Sequence, residues 1–496
     1  MTADVSWVKC EAISNEKNNI RLGISKEDQV FSVDDAVNKV GFGKFQKKLI
    51  FLASFGWLAD AFEIFILSVI GDLVACDWIL YRWQSALLSS IVFAGIMIGS
   101  PILGFIADIY GRKKCLCASV VLVFVFGSAS AVTPSFAWMA IFRSCLGVSL
   151  GGIAQAVTLC SEYCPNDMRG KTVFYMCYLW SFGSLGVILL TWVVMEYTNN
   201  WRLLLALAAV PSLIVIFSLK FYPESARYHL VSGQYDKACA IVAKMAGTNR
   251  RDLPPGKLVR VEVKSRGRLR DLLSSEHRRT SLLLWLIWFG SAFAYYGIIF
   301  ISPMVIKHGG LRDSANKDVN LNLTSIGFEM LQVLPCVRFT QQDYVDMLLT
   351  TAAEFPGILI YTFLIEKIDR KKLLGFSCLV SSMFCMLLLM KTHRIAILTF
   401  LFISRGILVA IFQLNYVITS EVYPTTVRAV GMGAGTAFCR LGGLIVPYFA
   451  QVLLISSPVT AICLLSGMLF ASGVAAACLP LETRGRGMKE SSAQLK

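Results

Sequence analysis

Residues 104–114 read Gly104-Phe105-Ile106-Ala107-Asp108-Ile109-Tyr110-Gly111-Arg112-Lys113-Lys114, and residues 365–372 read Ile365-Glu366-Lys367-Ile368-Asp369-Arg370-Lys371-Lys372. An acid and a basic trio recur at one offset, Asp108 against Glu366 and Arg112 against Arg370, 258 residues apart. A second motif behaves alike: Glu162-Tyr163-Cys164-Pro165-Asn166-Asp167-Met168-Arg169-Gly170 returns as Glu421-Val422-Tyr423-Pro424-Thr425-Thr426-Val427-Arg428-Ala429, 259 residues on. A looser third pair is Pro223-Glu224-Ser225-Ala226-Arg227 and Pro480-Leu481-Glu482-Thr483-Arg484-Gly485-Arg486. Unrelated motifs recurring at nearly the same spacing imply one unit written twice.

Apolar runs frame these motifs. They fall near 49–71, 86–107, 115–133, 136–160, 172–196 and 201–221, and again near 280–303, 343–365, 373–390, 396–418, 430–454 and 458–479. Of 496 residues 56% are hydrophobic and 16% charged, and mean hydropathy is +0.62. Soluble domains average about 25% charged residues, so this chain has too little polar surface for water. Lipid is its solvent, and helices satisfy every backbone group within the span. The expected organisation is a tail (1–47), a six-helix unit (48–222), a hydrophilic central loop (223–279), a second six-helix unit (280–480) and a closing tail (481–496). Gln234 to Ala246 has the composition of an amphipathic helix lying at the membrane face.

The net charge of +15 invites a nucleic-acid reading. No soluble domain is there to carry a basic face, and the basic residues sit in loops. Roughly 35 of the 47 Lys and Arg fall on one side and about 8 on the other, the asymmetry expected of cytosolic loops. Both termini and the central loop are thereby placed in the cytosol, and the first span reads as an uncleaved anchor. Most of the fifteen cysteines lie in spans or on the cytosolic side; only Cys76 and Cys336 fall in the opposite loops, where they could pair or stay as thiols.

Asp108 with Gly111, Arg112 and Lys113 resembles the signature loop of the major facilitator superfamily, and the resemblance runs from about residue 40 to 490. Glu162 with Arg169 and Gly170, Pro223-Glu224-Ser225, and Glu482-Thr483-Arg484-Gly485 are similar to its sugar-porter and organic-ion branches. Gly56-Trp57-Leu58-Ala59-Asp60-Ala61-Phe62-Glu63, Tyr222 to Tyr228, Ser420 to Thr425 and Leu479 to Gly487 resemble the synaptic-vesicle-2-related group. The resemblance implies an all-α membrane protein, with twelve transmembrane helices in two pseudo-symmetric six-helix bundles (the major facilitator fold) and a solute site between them. One departure stands out. Asp369 occupies the place where the family's second loop has glycine, and a turn of positive φ there would suit it poorly.

Asp60 and Glu63 are three apart in an apolar span and share a helix face. Ionisable groups at that depth are costly and face a cavity or a partner. One reading has them bind a cation or exchange a proton; the other locks them to an arginine such as Arg143 or Arg440. Arg143 and Arg405, at comparable places in the two halves, read as structural charges. Arg440 lies deep in a glycine-rich span, and in the organic-ion branch an arginine near this place goes with anionic solutes. Glu354 sits beside Pro356-Gly357, where it either lines a site or caps a kink. Gln155, Gln413 and Asn415 could bind a polar solute or join helices, and Tyr295, Tyr296 and Trp180 could wall a flat solute or pack. The loop charges Asp108, Arg112, Glu162, Arg169, Glu366, Arg370, Glu421 and Arg428 are expected to bridge the halves as a cytosolic gate.

The favoured function is a secondary active transporter of a small organic ion or polar metabolite, with protons as a candidate coupling ion. The competing function is a receptor, sorting partner or scaffold that keeps the fold. An enzyme is not expected: the sequence has no Gly-x-x-x-x-Gly-Lys loop and no metal-ligand cluster, and His229, His277, His308 and His393 lie in or next to loops. No cofactor and no nucleic acid are expected; a small solute and the bilayer are the partners. Whether the membrane is that of a vesicle or of the cell surface stays open. Asn322-Leu323-Thr324 is a glycosylation sequon in the loop assigned to the non-cytosolic side. Endoglycosidase treatment should lower the apparent mass of the protein, and Asn322→Gln should abolish that shift; a shift that survives the substitution would contradict it.

Overall fold

The computed structural model describes residues 30–165, 168–259, 269–308, 333 and 338–480. Cys336 and the Asn322 sequon lie outside these residues, and the side chains of Arg169 and Glu366 are not described. Among the described residues eleven helices are long and apolar enough to cross a membrane. Spans 1 to 6 are Lys44–Val74, Arg82–Tyr110, Arg112–Ala131, Phe136–Glu162, Lys171–Tyr197 and Trp201–Phe221. Spans 7 and 8 are Arg278–Ile306 and Gln341–Ile365; spans 10 to 12 are Arg394–Val422, Val430–Ser456 and Pro458–Ala477. Between them runs span 9, Arg370–Leu387, whose 18 residues open on Arg370, Lys371 and Lys372 and so include little surplus apolar length. The chain is a multi-pass membrane protein.

Spans 4 and 8 are interrupted where the sequence removes a side chain or a donor. Span 4 breaks between Phe136–Leu150 and Ala154–Glu162, at Gly151 and Gly152. A Cβ on Gly151 would stand 2.5 Å from the Ser100 backbone nitrogen of span 2, so only glycine allows this approach. Span 8 breaks at Ala353, between Gln341–Ala352 and Glu354–Lys367. Pro356 has no N–H to give back to the preceding turn.

The duplication is visible in the packing. A Cβ on Gly99 would lie 2.2 Å from the Val148 carbonyl oxygen, and one on Gly357 would lie 2.2 Å from that of Gly406. Both residues of the second pair stand 258 positions after those of the first. Span 2 thus crosses span 4 as span 8 crosses span 10, backbone against backbone. Lys113 Nζ donates to the Tyr222 carbonyl at 2.8 Å, and Lys371 Nζ repeats this with the Leu479 carbonyl at 2.6 Å. The two motif loops differ in one respect. Gly111 has φ +104°, whereas Asp369 has φ −57° and precedes span 9 in ordinary backbone. The second loop makes a different turn, and the aspartate carries no strain.

A folded layer covers the basic end of the first half. Ser32 and Asp35 form a capping box on helix Val33–Val40, and Val30–Phe31 pairs in parallel with Lys257–Leu258. The expected amphipathic helix runs Tyr235–Asn249. Asn249 accepts from the Phe45 N–H at 2.9 Å and donates to Gln46 at 2.7 Å, while Gln46 donates to the Tyr163 carbonyl at 3.0 Å. The Tyr163 hydroxyl donates to the Glu224 carbonyl at 2.6 Å and accepts from the Ala226 N–H at 2.9 Å; burial pushes this phenol well above its ordinary range, so it stays a donor. Part of what reads as a tail is therefore bound to the central loop.

Gly357→Val should lower stability by about 1–3 kcal/mol, because overpacking forces the span 8–10 contact apart. Gly433, whose Cβ would meet nothing within 4 Å, supplies the control. Thermal unfolding of purified Gly357→Val and Gly433→Ala checks this, and equal midpoints would refute the close approach.

Candidate functional site

A fully buried polar contact between the halves is built on Glu354, which is 0% exposed. The break at Ala353 puts this carboxylate at the head of a new helix segment, pointing across to span 5. Its Oε2 accepts from Ser181 Oγ at 2.9 Å and from Ser184 Oγ at 3.3 Å. Its Oε1 accepts from Arg405 Nε at 3.1 Å and from the Tyr295 hydroxyl at 3.3 Å. Trp180 of span 5 donates to the same Tyr295 hydroxyl at 2.8 Å, and the Arg405 guanidinium lies 5.0 Å from the Phe65 ring centroid of span 1. Gln413 donates to Cys177 Sγ at 3.0 Å beside this group. One buried ion pair thus draws spans 5, 7, 8 and 10 together, with span 1 against its cation.

Toward the end opposite the basic loops the halves are also joined. Gln341 donates to Glu196 at 2.8 Å, and the Trp192 and Tyr344 rings stack at 6.2 Å with 10° between their planes. In spans 2 and 11, Ser90 donates to the Leu444 carbonyl at 2.8 Å.

Asp60 and Glu63 part company. Glu63 Oε2 accepts from Arg143 at 3.0 Å, both side chains buried inside the first half. This fits the reading that locks it to an arginine, since the i, i+3 spacing tilts Glu63 toward span 4. Asp60 is half-buried at the seam between the halves, attracted by Arg440 of span 11. Among the described residues nothing hydrogen-bonds or ion-pairs with its carboxylate. Arg440, also half-buried, donates to the Tyr296 hydroxyl at 3.4 Å. The Phe93 and Phe412 rings pack against the Tyr296 ring, and Tyr416 lies within electrostatic reach of both Asp60 and Arg440.

Other sequence-predicted residues fall elsewhere. Asn415 donates to Ser291 at 2.6 Å and joins spans 10 and 7. Gln155 is half-buried beside Gly104 in the first half and does not join the Glu354 group. Among the described residues, Arg112 pairs with Glu162 and lies 3.8 Å from Asp108, and Arg370 pairs with Glu421, so these bridges lie within each half. The reason is the duplication itself: each six-helix unit carries its own copy of both motifs. Arg428 donates to the Tyr423 carbonyl at 3.3 Å, also within its half. The sequence reading missed Ser181, Ser184, Cys177 and Tyr416. Two serines one turn apart in an apolar span were the available signal for the first two.

The sugar (and other) transporter family matches residues 49–495. The chain belongs to this family. Within the transporter family, the synaptic vesicle 2-related protein of Xenopus laevis is 39% identical over 465 residues, covering 94% of this chain and 83% of that one. The putative transporter SVOPL of Homo sapiens is 34% identical over 465 residues, covering 94% of each. The fold matches the crystal structure of a D-xylose–proton symporter at TM-score 0.65 and 16% identity, over 89% of this chain and 99% of that one. A partially occluded inward-open form of the xylose transporter XylE from E. coli matches at 0.64 and 17%, over 90% and 100%. The protein is a major facilitator transporter, and it is not an enzyme.

Glu354→Ala should cost about 3–5 kcal/mol, because it leaves the Arg405 cation buried and unpaired. Adding Arg405→Met should return part of that loss. Thermal unfolding of the single and double variants measures it, and additive losses would mean the two side chains do not interact.

Proposed function

We propose that this chain carries a small organic ion or polar metabolite by alternating access, with both termini in the cytosol and the solute held at Asp60 and Arg440. The observation carrying the reading is the pair of half-buried, opposite charges at the seam. Charges in an oily bundle need a reason, and these are not consumed by structure as Glu63 and Arg143 are. The joined end opposite the basic loops, together with the partial exposure of Asp60, Arg440 and Tyr416, supports an inward-facing form. Each half moves as a body: Arg112–Glu162 and Arg370–Glu421 stiffen their own units, while the Glu354 group and Gln341–Glu196 are what must open.

Asp60 is also the proposed coupling group, since its carboxylate has no fixed partner and can change charge as the seam opens. Glu63, held by Arg143, supports this by keeping span 1 in place. In liposomes holding the purified protein, a pH gradient acid outside should drive uptake of at least one compound from an organic-ion panel. Asp60→Asn should abolish the gradient-driven component and leave the protein folded, and Glu63→Gln should lower its stability as well. Gradient-driven uptake undiminished in Asp60→Asn would remove the coupling role; no flux of any panel member under gradient or counterflow would remove transport.

A further inference from the structure

The proposed solute site contains two uncancelled charges rather than one. Asp60 comes from span 1 of the first half and Arg440 from span 11 of the second. Both are half-buried, Arg440 is the cation that acts on Asp60, and Asp60 in turn acts on Arg440, yet they are not within ion-pair distance in this form. Their mutual attraction is therefore not realised in contact. The Arg440 guanidinium makes a single 3.4 Å bond to Tyr296, and the Asp60 carboxylate is open. Around them stand flat rings: Tyr296 lies 4.8 Å from Phe93 and 6.3 Å from Phe412, and Phe412 lies 5.9 Å from Tyr416.

A solute with one charge would satisfy one of these side chains and leave the other unpaired in a low-dielectric seam. One with a cationic and an anionic group satisfies both. We propose that the transported class is a small zwitterion on a flat or aromatic frame, its cation on Asp60, its anion on Arg440 and its frame between the tyrosines. This rests on the transport reading and narrows it. Buried polar groups left unpaired are the strongest source of discrimination available to a site, so loss of either solute charge should weaken binding at least about tenfold.

The test uses the full chain and two matched sets of probes. One is L-tryptophan with tryptamine and indole-3-propionate; the other is 4-(aminomethyl)benzoate with benzylamine and benzoate. Thermal stabilisation of the purified protein gives binding, and liposome counterflow gives transport. At least one zwitterion should bind tenfold or more tightly than both its single-charge analogues. Asp60→Asn should erase its advantage over the matching anion, and Arg440→Gln its advantage over the matching amine. Equal responses to zwitterion and analogue would overturn this inference while leaving transport standing. So would failure of both zwitterions to bind, since the earlier panel tests transport separately. The double variant Asp60→Asn with Arg440→Gln decides whether the charges serve only each other: recovery of zwitterion uptake toward the parent level would mean that, and would also overturn it.

Discussion

Glu354 and Arg405 face each other at 3.1 Å with side chains 0% and 3% exposed. Their attraction is large only because water is absent, and that same absence makes each charge expensive unless its remaining atoms are satisfied. The carboxylate meets the requirement with oxygens that accept from both halves of the molecule: Ser181 and Ser184 on one side, Arg405 and Tyr295 on the other. Separating the halves must break the two serine bonds and the Trp180–Tyr295 bond. It need not break the ion pair, which lies wholly within the second half. The charge therefore stays compensated through a rocking motion, and only neutral donors are exchanged. That division lets a buried charge sit at a moving boundary.

Around this contact the halves are rigid for a reason written in glycine. The approach of Gly99 to Val148 and of Gly357 to Gly406 leaves no room for a side chain, so spans 2 and 4, and spans 8 and 10, are fixed by backbone contact. The motif loops continue the same design, since Lys113 and Lys371 each tie a loop to the carbonyl ending the last span of its own half. Stiff bodies that meet at a polar seam have few ways to move. Rotation about the seam is the cheapest, because it preserves every backbone contact and trades only side-chain bonds.

Much of this was legible beforehand, and the failures have physical causes. The fold followed from two motifs at one offset and from apolar runs long enough to span. The pairing of buried charges was half legible: in-membrane arginines and carboxylates had to find one another, but spacing along one helix does not say which neighbour each faces. Asp60 and Glu63 share a surface, yet the roughly 60° between positions three apart sends one to the seam and the other to Arg143. The loop charges were half legible too: alternating signs at span ends fit bridges within a half, which the described pairs make, as well as bridges between halves. Linear sequence carries no information on which helix of a duplicated set lies opposite. The Asp369 departure misled differently, by assuming that a lost glycine implies a strained turn when the loop simply makes another.

The asymmetry between the halves is the remaining step. Duplication would give each unit equal charges, but the two buried ion pairs are not equivalents: Glu63 reaches span 4 from span 1, and Glu354 reaches span 10 from span 8. The first pair lies inside one body and touches nothing that moves. The second accepts bonds from across the boundary. A symmetric arrangement would have left either two inert pairs or two that both straddle the seam, the first giving nothing to close the centre and the second holding it too firmly. With one of each, the first half supplies a fixed frame that carries Asp60, and the second supplies the part whose contacts are exchanged and which carries Arg440. The two charges proposed to hold the solute come one from each body, so the distance between them is set by the angle at which the halves meet.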